Sequence, residues 1–465
     1  MEAHEAAVAA VSARIQQFDA TKTPFRVYHG STNSTRKSQR REDNTVDTSR
    51  MNHVLNVDTT KKTVLVEPNV PMDELVDATL EHGLVPLVVM EFPGITVGGG
   101  FSGTSGESSS FRYGAFETTV NWIEIVLASG EVTRASKTEK PDLFWGAASA
   151  FGTLGVVTLL EVQLRDAARY VELTYRHVKG FDEVVSVIKS ETADDTPNDY
   201  VDGIAFSLNS TIICTGRLVD KLPAGASPRQ FLRARDPWFY VHAQRVEKRL
   251  RHQPPNAVEV DHIPLTDYLF RYDRGGFWTA RYAFRYFLTP FNRITRFLLN
   301  PFMHGRRPCY PRACHQSGPL PDFPTSSEDV GHPLTPAPAG LHPPPRTSTF
   351  PLLPALALPA GASTGPTPEL PAPACTPRFG PAPTHPPPTP IRNPQPKINT
   401  PQKHSSTFGI LGPRPPPRRH LHPLTDPNPH RRASVAANRL LEQTVHALGG
   451  KKWLYGQAFY TEGEF

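Results

Sequence analysis

Cysteine is scarce in this sequence: 4 residues in 465, at positions 214, 309, 314 and 375. Their spacing fits neither a metal site nor a disulfide framework, so zinc modules and stapled secreted scaffolds are excluded and a reducing compartment is expected. No apolar run reaches the roughly 18 residues of a membrane span, and the N-terminus shows no secretory pattern. An excess of one charge is missing as well. The formal net charge is +6, but residues 301–430 alone hold 11 Lys/Arg against 5 Asp/Glu. The remainder is close to neutral, with no basic face interleaved with aromatics, so no nucleic-acid partner is expected.

What the protein does have is a glycine-rich run, Pro93-Gly94-Ile95-Thr96-Val97-Gly98-Gly99-Gly100-Phe101-Ser102-Gly103-Thr104-Ser105-Gly106. Six glycines among small hydroxyl residues let another molecule approach the backbone, whose amides can form an anion-binding concavity. Gly98-x-Gly100-x-x-Gly103 matches the dinucleotide fingerprint, with Glu124 near the offset of a ribose-binding acid. That fingerprint must open a helix. The residues after Gly103 lack apolar periodicity and are too rich in Gly and Ser for one, and no Gly-Lys-Ser/Thr follows to make a Walker loop. The run reads as a long phosphate-binding loop outside the Rossmann class, a flexible linker being the alternative.

A second short loop, His29-Gly30-Ser31-Thr32-Asn33-Ser34, follows a brief β-type run and is also rich in small donors. Between the loops, Val54–Val57 and Thr63–Val66 read as a strand pair and Met72–His82 as a helix, from apolar residues at 72, 75, 76 and 80. Trp122–Leu127 reads as a buried strand. A third glycine pair stands in Gly152-Thr153-Leu154-Gly155-Val156-Val157, running into a strand. Further on, Tyr170–His177, Gly203–Leu208 and Ile212–Arg217 read as strands and Phe181–Ile188 as a helix.

Taken in order, Val66-Glu67-Pro68, Thr96-Val97-Gly98-Gly99, Gly106-Glu107-Ser108-Ser109-Ser110, Tyr113-Gly114 and Gly152-Thr153-Leu154-Gly155 resemble the FAD-binding (PCMH-type) domain of the vanillyl-alcohol oxidase and p-cresol methylhydroxylase family. Glu-Ser-Ser-Ser followed by Tyr-Gly resembles its Diminuto-type Δ24-sterol reductase branch. The resemblance implies an α+β fold: a two-subdomain FAD-binding domain over 20–168, an α+β substrate (cap) domain over 169–303, and its truncated return over 433–465. FAD contacts are implied at residues 29–34, Pro93, Gly94, 96–99, 102–110, Tyr113, Gly114, Phe116, Gly152, Gly155, Val156 and Val157. Asn33 holds the place where many members carry a covalently linked histidine, so the FAD is expected to be noncovalent.

The activity implied is NADPH-dependent reduction of the alkene in a sterol tail through flavin hydride transfer. An acid must protonate the second carbon, and Tyr113, Tyr455 and Tyr460 are the candidates. An FAD-linked oxidase of a small alcohol or sugar, and an inactive FAD-binding remnant, are the alternatives. The implied location is intracellular: cytoplasmic, or peripheral on the cytosolic face of the endoplasmic reticulum membrane.

Three segments stand apart. Glu2–Phe18 places Val8, Val11, Ile15 and Phe18 at helical spacing, an amphipathic helix over 1–19. Phe277–Phe302 mixes aromatics with arginines, the pattern of an interfacial membrane contact, a sterol-pocket mouth or a helix pair split at Pro290. Residues 304–432 hold most of the 50 prolines, which block both helix and sheet, so disorder or PPII is expected. That segment replaces family-like sequence instead of interrupting it. It is therefore read as out-of-frame or unspliced coding sequence, ahead of a natural insertion for SH3- or WW-type partners.

Overall fold

The computed structural model describes residues 1–29, 42–103, 105–277 and 279–304, with single helical positions between Ala436 and Ala447. Gly30–Ser34, Thr104, Tyr455, Tyr460 and nearly all of the proline-rich segment lie outside the described residues.

Two antiparallel sheets form the frame. The first runs Val54–Asp58, Thr63–Val66, Val156–Asp166, Val120–Val126, Val132–Ser136, with Leu84–Pro86 also paired to the long Val156–Asp166 strand. The second runs Tyr200–Ser207, Ser210–Val219, Tyr170–Val178, Val258–Pro264. Short turns such as Leu208-Asn209 set the antiparallel order. The parallel βαβ unit of a Rossmann domain does not occur among the described residues, which removes the dinucleotide reading of Gly98-x-Gly100-x-x-Gly103.

The apolar faces of both sheets join in one core, from Val64, Val66 and Ile123 in the first to Leu173, Tyr175 and Ile212 in the second. Helix Met72–Leu80 buries Met72, Leu75, Val76 and Thr79, the face its spacing anticipates. Phe181–Glu191 and Phe239–Leu250 cover the second sheet.

The N-terminal helix, Glu2–Ala20, buries Val8, Val11, Ile15 and Phe18 against Val46, Met51, Val126 and Val156. Its first turn is fixed by His4, whose ring bridges Glu67 at 2.8 Å and Glu124 at 3.3 Å. The helix is thus part of the first sheet's packing. Ile15 is fully buried, so Ile15→Ala is expected to cost about 2–4 kcal/mol in urea unfolding. A cost under about 1 kcal/mol would show that the helix is not docked in solution.

Candidate functional site

The glycine run departs from the expected loop. Val97–Gly103 is a seven-residue α-helix, and Ser110–Tyr113 adds one turn more. Glycine disfavours a helix by roughly 1 kcal/mol per residue, but Val97 and Phe101, one turn apart, are both fully buried. The missing side chains allow close packing. A Cβ on Gly98 would lie 2.7 Å from Pro68 Cβ, and one on Gly100 would overlap Met90 Cε. The amides here also have protein acceptors: Val97 donates to Val70 O at 2.9 Å, Gly98 to Pro68 O at 2.7 Å, Gly99 to Thr96 Oγ1 at 3.1 Å and Gly100 to Thr96 O at 2.8 Å.

The open part of the run lies further along. A Cβ on Gly103 would meet no described heavy atom within 4 Å. The Ser105 and Gly106 amides have no acceptor among the described residues. Against this helix end folds the third glycine segment: Ser149 N–H donates to Phe101 O at 3.1 Å and Phe151 N–H to Ser102 O at 3.0 Å. Ser149, Phe151 and Gly152 have φ of +64°, +51° and +76°. Two non-glycine residues in the left-handed region so close together mark a backbone held in place by its surroundings. A Cβ on Gly152 would meet Gly155 O at 3.8 Å, an ordinary contact, whereas a Cβ on Gly155 would sit 2.7 Å from Val126 O.

The expected residues therefore divide by surroundings. Ser102, Gly103, Ser105, Gly106 and Gly152 lie at the end of this helix and in the segment folded against it, where the Ser105 and Gly106 amides have no acceptor among the described residues. Gly98, Gly100 and Gly155 serve close packing, and Val97, Phe116, Val156 and Val157 have buried side chains. His29 is half-buried, and burial lowers its imidazole pKa. Gly114, at φ +78°, caps the Ser110–Tyr113 turn.

Glu107–Ser110 lies at the seam between the two sheets. Glu107 accepts from the Ser108 amide and hydroxyl and from Arg271 Nη2 at 3.0 Å. Ser108 Oγ stands 3.1 Å from Tyr268 Oη, Ser109 Oγ donates to Leu87 O, and Ser110 Oγ accepts from the Glu107 amide. Arg271, 1% exposed, also donates to Asp202 at 2.6 Å, and the Tyr272 hydroxyl reaches the same carboxylate oxygen at 3.2 Å.

Burial, then the Glu107 charge, raises the Glu91 carboxyl to about 7. Burial also raises Glu107 and pushes the Tyr268 and Tyr272 phenols well above their usual range. Asp202 Oδ1 and Arg271 Nε are buried with no partner among the described residues, a pattern that marks functional clusters more often than plain core.

Sequence reading did not single out Glu91, Asp202, Tyr268, Arg271 or Tyr272. Only the charged Arg271-Tyr272-Asp273-Arg274 stretch directly after Leu269-Phe270 could have drawn attention. Tyr113 sits at the same seam, its hydroxyl accepting from Arg165 Nη1 at 3.4 Å, while Arg165 pairs with Asp199 at 2.7 Å.

Residues 5–136 match the FAD binding domain family. The sequence is 32% identical over 228 residues to the Delta(24)-sterol reductase of Homo sapiens, covering 48% of this chain and 42% of the relative. It is likewise 32% identical over 246 residues to that of Arabidopsis thaliana, covering 51% and 43%. Cytokinin dehydrogenase 6 of Oryza sativa subsp. japonica is 31% identical over 142 residues, covering 30% and 27%. The matches span less than half the length of these sterol reductases. The region that matches the FAD binding domain family contains the glycine run and Glu107–Ser110, and no helix among the described residues is long and apolar enough to cross a membrane.

Proposed function

We propose that this protein, an FAD-binding oxidoreductase similar to Delta(24)-sterol reductases, reduces a C=C bond in the tail of a sterol or in a similarly apolar alkene, with NADPH as the electron source and noncovalent FAD. FAD, when bound, supplies the hydride. The observation that carries the reading is the buried cluster at the seam, where a carboxyl with a pKa near 7 lies beside an arginine, the two carboxyls of Glu107 and Asp202, and two protonated tyrosines.

An isolated alkene needs a proton from a group that can hold one at neutral pH without water around it. Glu91 Oε meets that demand better than Tyr113, whose hydroxyl is engaged by Arg165. Arg271 positions Glu107 and Asp202 and keeps their charge compensated. Ser102, Gly103, Ser105, Gly106 and Gly152 would hold the cofactor's pyrophosphate and ring edge.

The test is anaerobic reduction of the purified full-length protein. NADPH should bleach the flavin absorbance, desmosterol should restore it, and oxygen should restore it only slowly. Acid precipitation should release all the flavin. Glu91→Gln should lower kcat about 10²-fold or more, leave FAD content unchanged, and abolish the pH dependence near 7. Flavin that turns over with oxygen and a sugar or alcohol would favour an oxidase. Flavin that binds without any sterol reduction would favour a remnant.

A further inference from the structure

The segment after the seam makes two short helices, Thr279–Tyr286 and Arg293–Leu298. Asn292 starts the second as a capping box, its side chain accepting from the Ile294 and Thr295 amides at 2.9 and 3.0 Å. One face of this hairpin is anchored: Phe284, Phe291 and Trp238 lie with ring centroids 5.3–5.9 Å apart, and Arg296 covers Phe291 at 4.8 Å. The turn between the helices is ordered, with Leu288 N–H donating to Arg285 O and Thr289 N–H to Phe284 O.

The other face has a composition that water does not favour. Leu288 is 89% exposed and held at φ +51°; Ile294 is 70%, Leu298 65%, Phe297 54% and Phe302 51% exposed. Around them stand Arg281, Arg285 and Arg293, all exposed, with exposed Arg245 close enough to depress the buried Arg296 guanidinium, after burial itself and together with Arg293. None of these five arginines forms an ion pair among the described residues, and no Asp or Glu occurs in the sequence from Arg274 to His304.

We infer that this hairpin is a monotopic docking surface for an anionic lipid bilayer, with the apolar side chains entering below the headgroups and the arginines meeting their phosphates. Charge complementarity selects the occupant. Four exposed arginines without an ion pair among the described residues, Arg245, Arg281, Arg285 and Arg293, call for an anionic partner, and branched aliphatic side chains at the tip call for acyl chains in preference to nucleic-acid phosphates. The helices are 8 and 6 residues long, enough to lie in the interface and too short to span it. The surface joins the seam directly. Phe277 packs on Phe92 with centroids 5.3 Å apart and on Tyr272 at 4.5 Å, so a bilayer-dissolved substrate would enter beside the ion cluster.

The test is co-sedimentation of the flavin-loaded, full-length protein with vesicles of phosphatidylcholine alone or with phosphatidylserine. The protein should pellet with the phosphatidylserine vesicles and be released by high salt. Arg285→Glu with Arg293→Glu should cut partitioning at least fivefold per arginine, the equivalent of about 1 kcal/mol each. Leu288→Ser with Leu298→Ser should also release it, and neither pair should alter flavin content or Tm. Protein that stays in the supernatant with phosphatidylserine, or binding that survives both pairs, would overturn the inference. A change in sedimenting mass without lipid on Leu288→Ser with Leu298→Ser would overturn it too, assigning the face to a second copy of the protein. Each outcome is independent of which substrate the flavin serves.

Discussion

Arg271→Met is expected to destabilise the protein by about 3–5 kcal/mol at pH 8, a fall in Tm of roughly 10 °C, with most of that loss recovered near pH 5. The guanidinium is 1% exposed and donates to two carboxylates, Glu107 at 3.0 Å and Asp202 at 2.6 Å. Methionine keeps the volume and removes the charge, leaving both acids buried without a counter-ion. Arg271 also lowers the pKa of Glu91 and Glu107, whose burial raises them, so its removal lets both rise further.

The sign follows from proton counting. An acid whose pKa is higher in the folded state contributes stability that is complete below its unfolded value and lost as pH rises through the folded value. For Glu91 in the unaltered protein that window runs from about 4.5 to about 7; in the variant it extends upward. Adding Glu107→Gln to Arg271→Met should restore much of the stability at pH 8, a coupling that a double-mutant cycle reads directly. Equal stability of Arg271→Met and the unaltered protein across pH 5–8 would mean that the cluster is solvated.

The second large effect separates packing from cofactor binding. Gly98→Ala puts a methyl 2.7 Å from Pro68 Cβ and 3.0 Å from Pro68 O, rigid neighbours that cannot swing away. A loss of about 1–3 kcal/mol in the flavin-free protein is expected. Gly103→Ala meets nothing within 4 Å and should leave the flavin-free Tm unchanged or raise it slightly. If the open face holds the cofactor, the same methyl weakens FAD binding by about 10–100-fold, one to two multiples of 1.4 kcal/mol, seen by fluorescence titration. Unweakened FAD binding by Gly103→Ala would move the cofactor off this face.

Much of the frame is legible in the residues. The β-branched runs at 54–57 and 63–66 pair as a hairpin, and the spacings at 8, 11, 15, 18 and at 72, 75, 76 mark the faces that are buried. The glycine motifs mark the tightly packed Val97–Gly103 helix and the segment folded against it, because glycine has few physical reasons to recur at such density. Their division of labour is not legible. Whether Gly98 faces Pro68 or Gly103 faces nothing depends on which strand lies opposite, and burial of Val97 and Phe101 overrides the local bias against a helix. The ion cluster was hidden for another reason. Glu107 and Arg271 are 164 residues apart, and a single sequence presents each as an ordinary surface charge until the two sheets close on them.

The docking of Glu2–Ala20 has a consequence for synthesis. This helix leaves the ribosome before the strands it packs on, so its His4 waits for Glu67 and Glu124, and its apolar stripe waits for Val126 and Val156. At roughly 5–20 residues per second the interval is about 8–30 s. Throughout it, the nascent polypeptide displays Val8, Val11, Ile15 and Phe18 to whatever else is present, so a chaperone that shields this helix as it emerges should raise the yield of native protein more than one that acts after release.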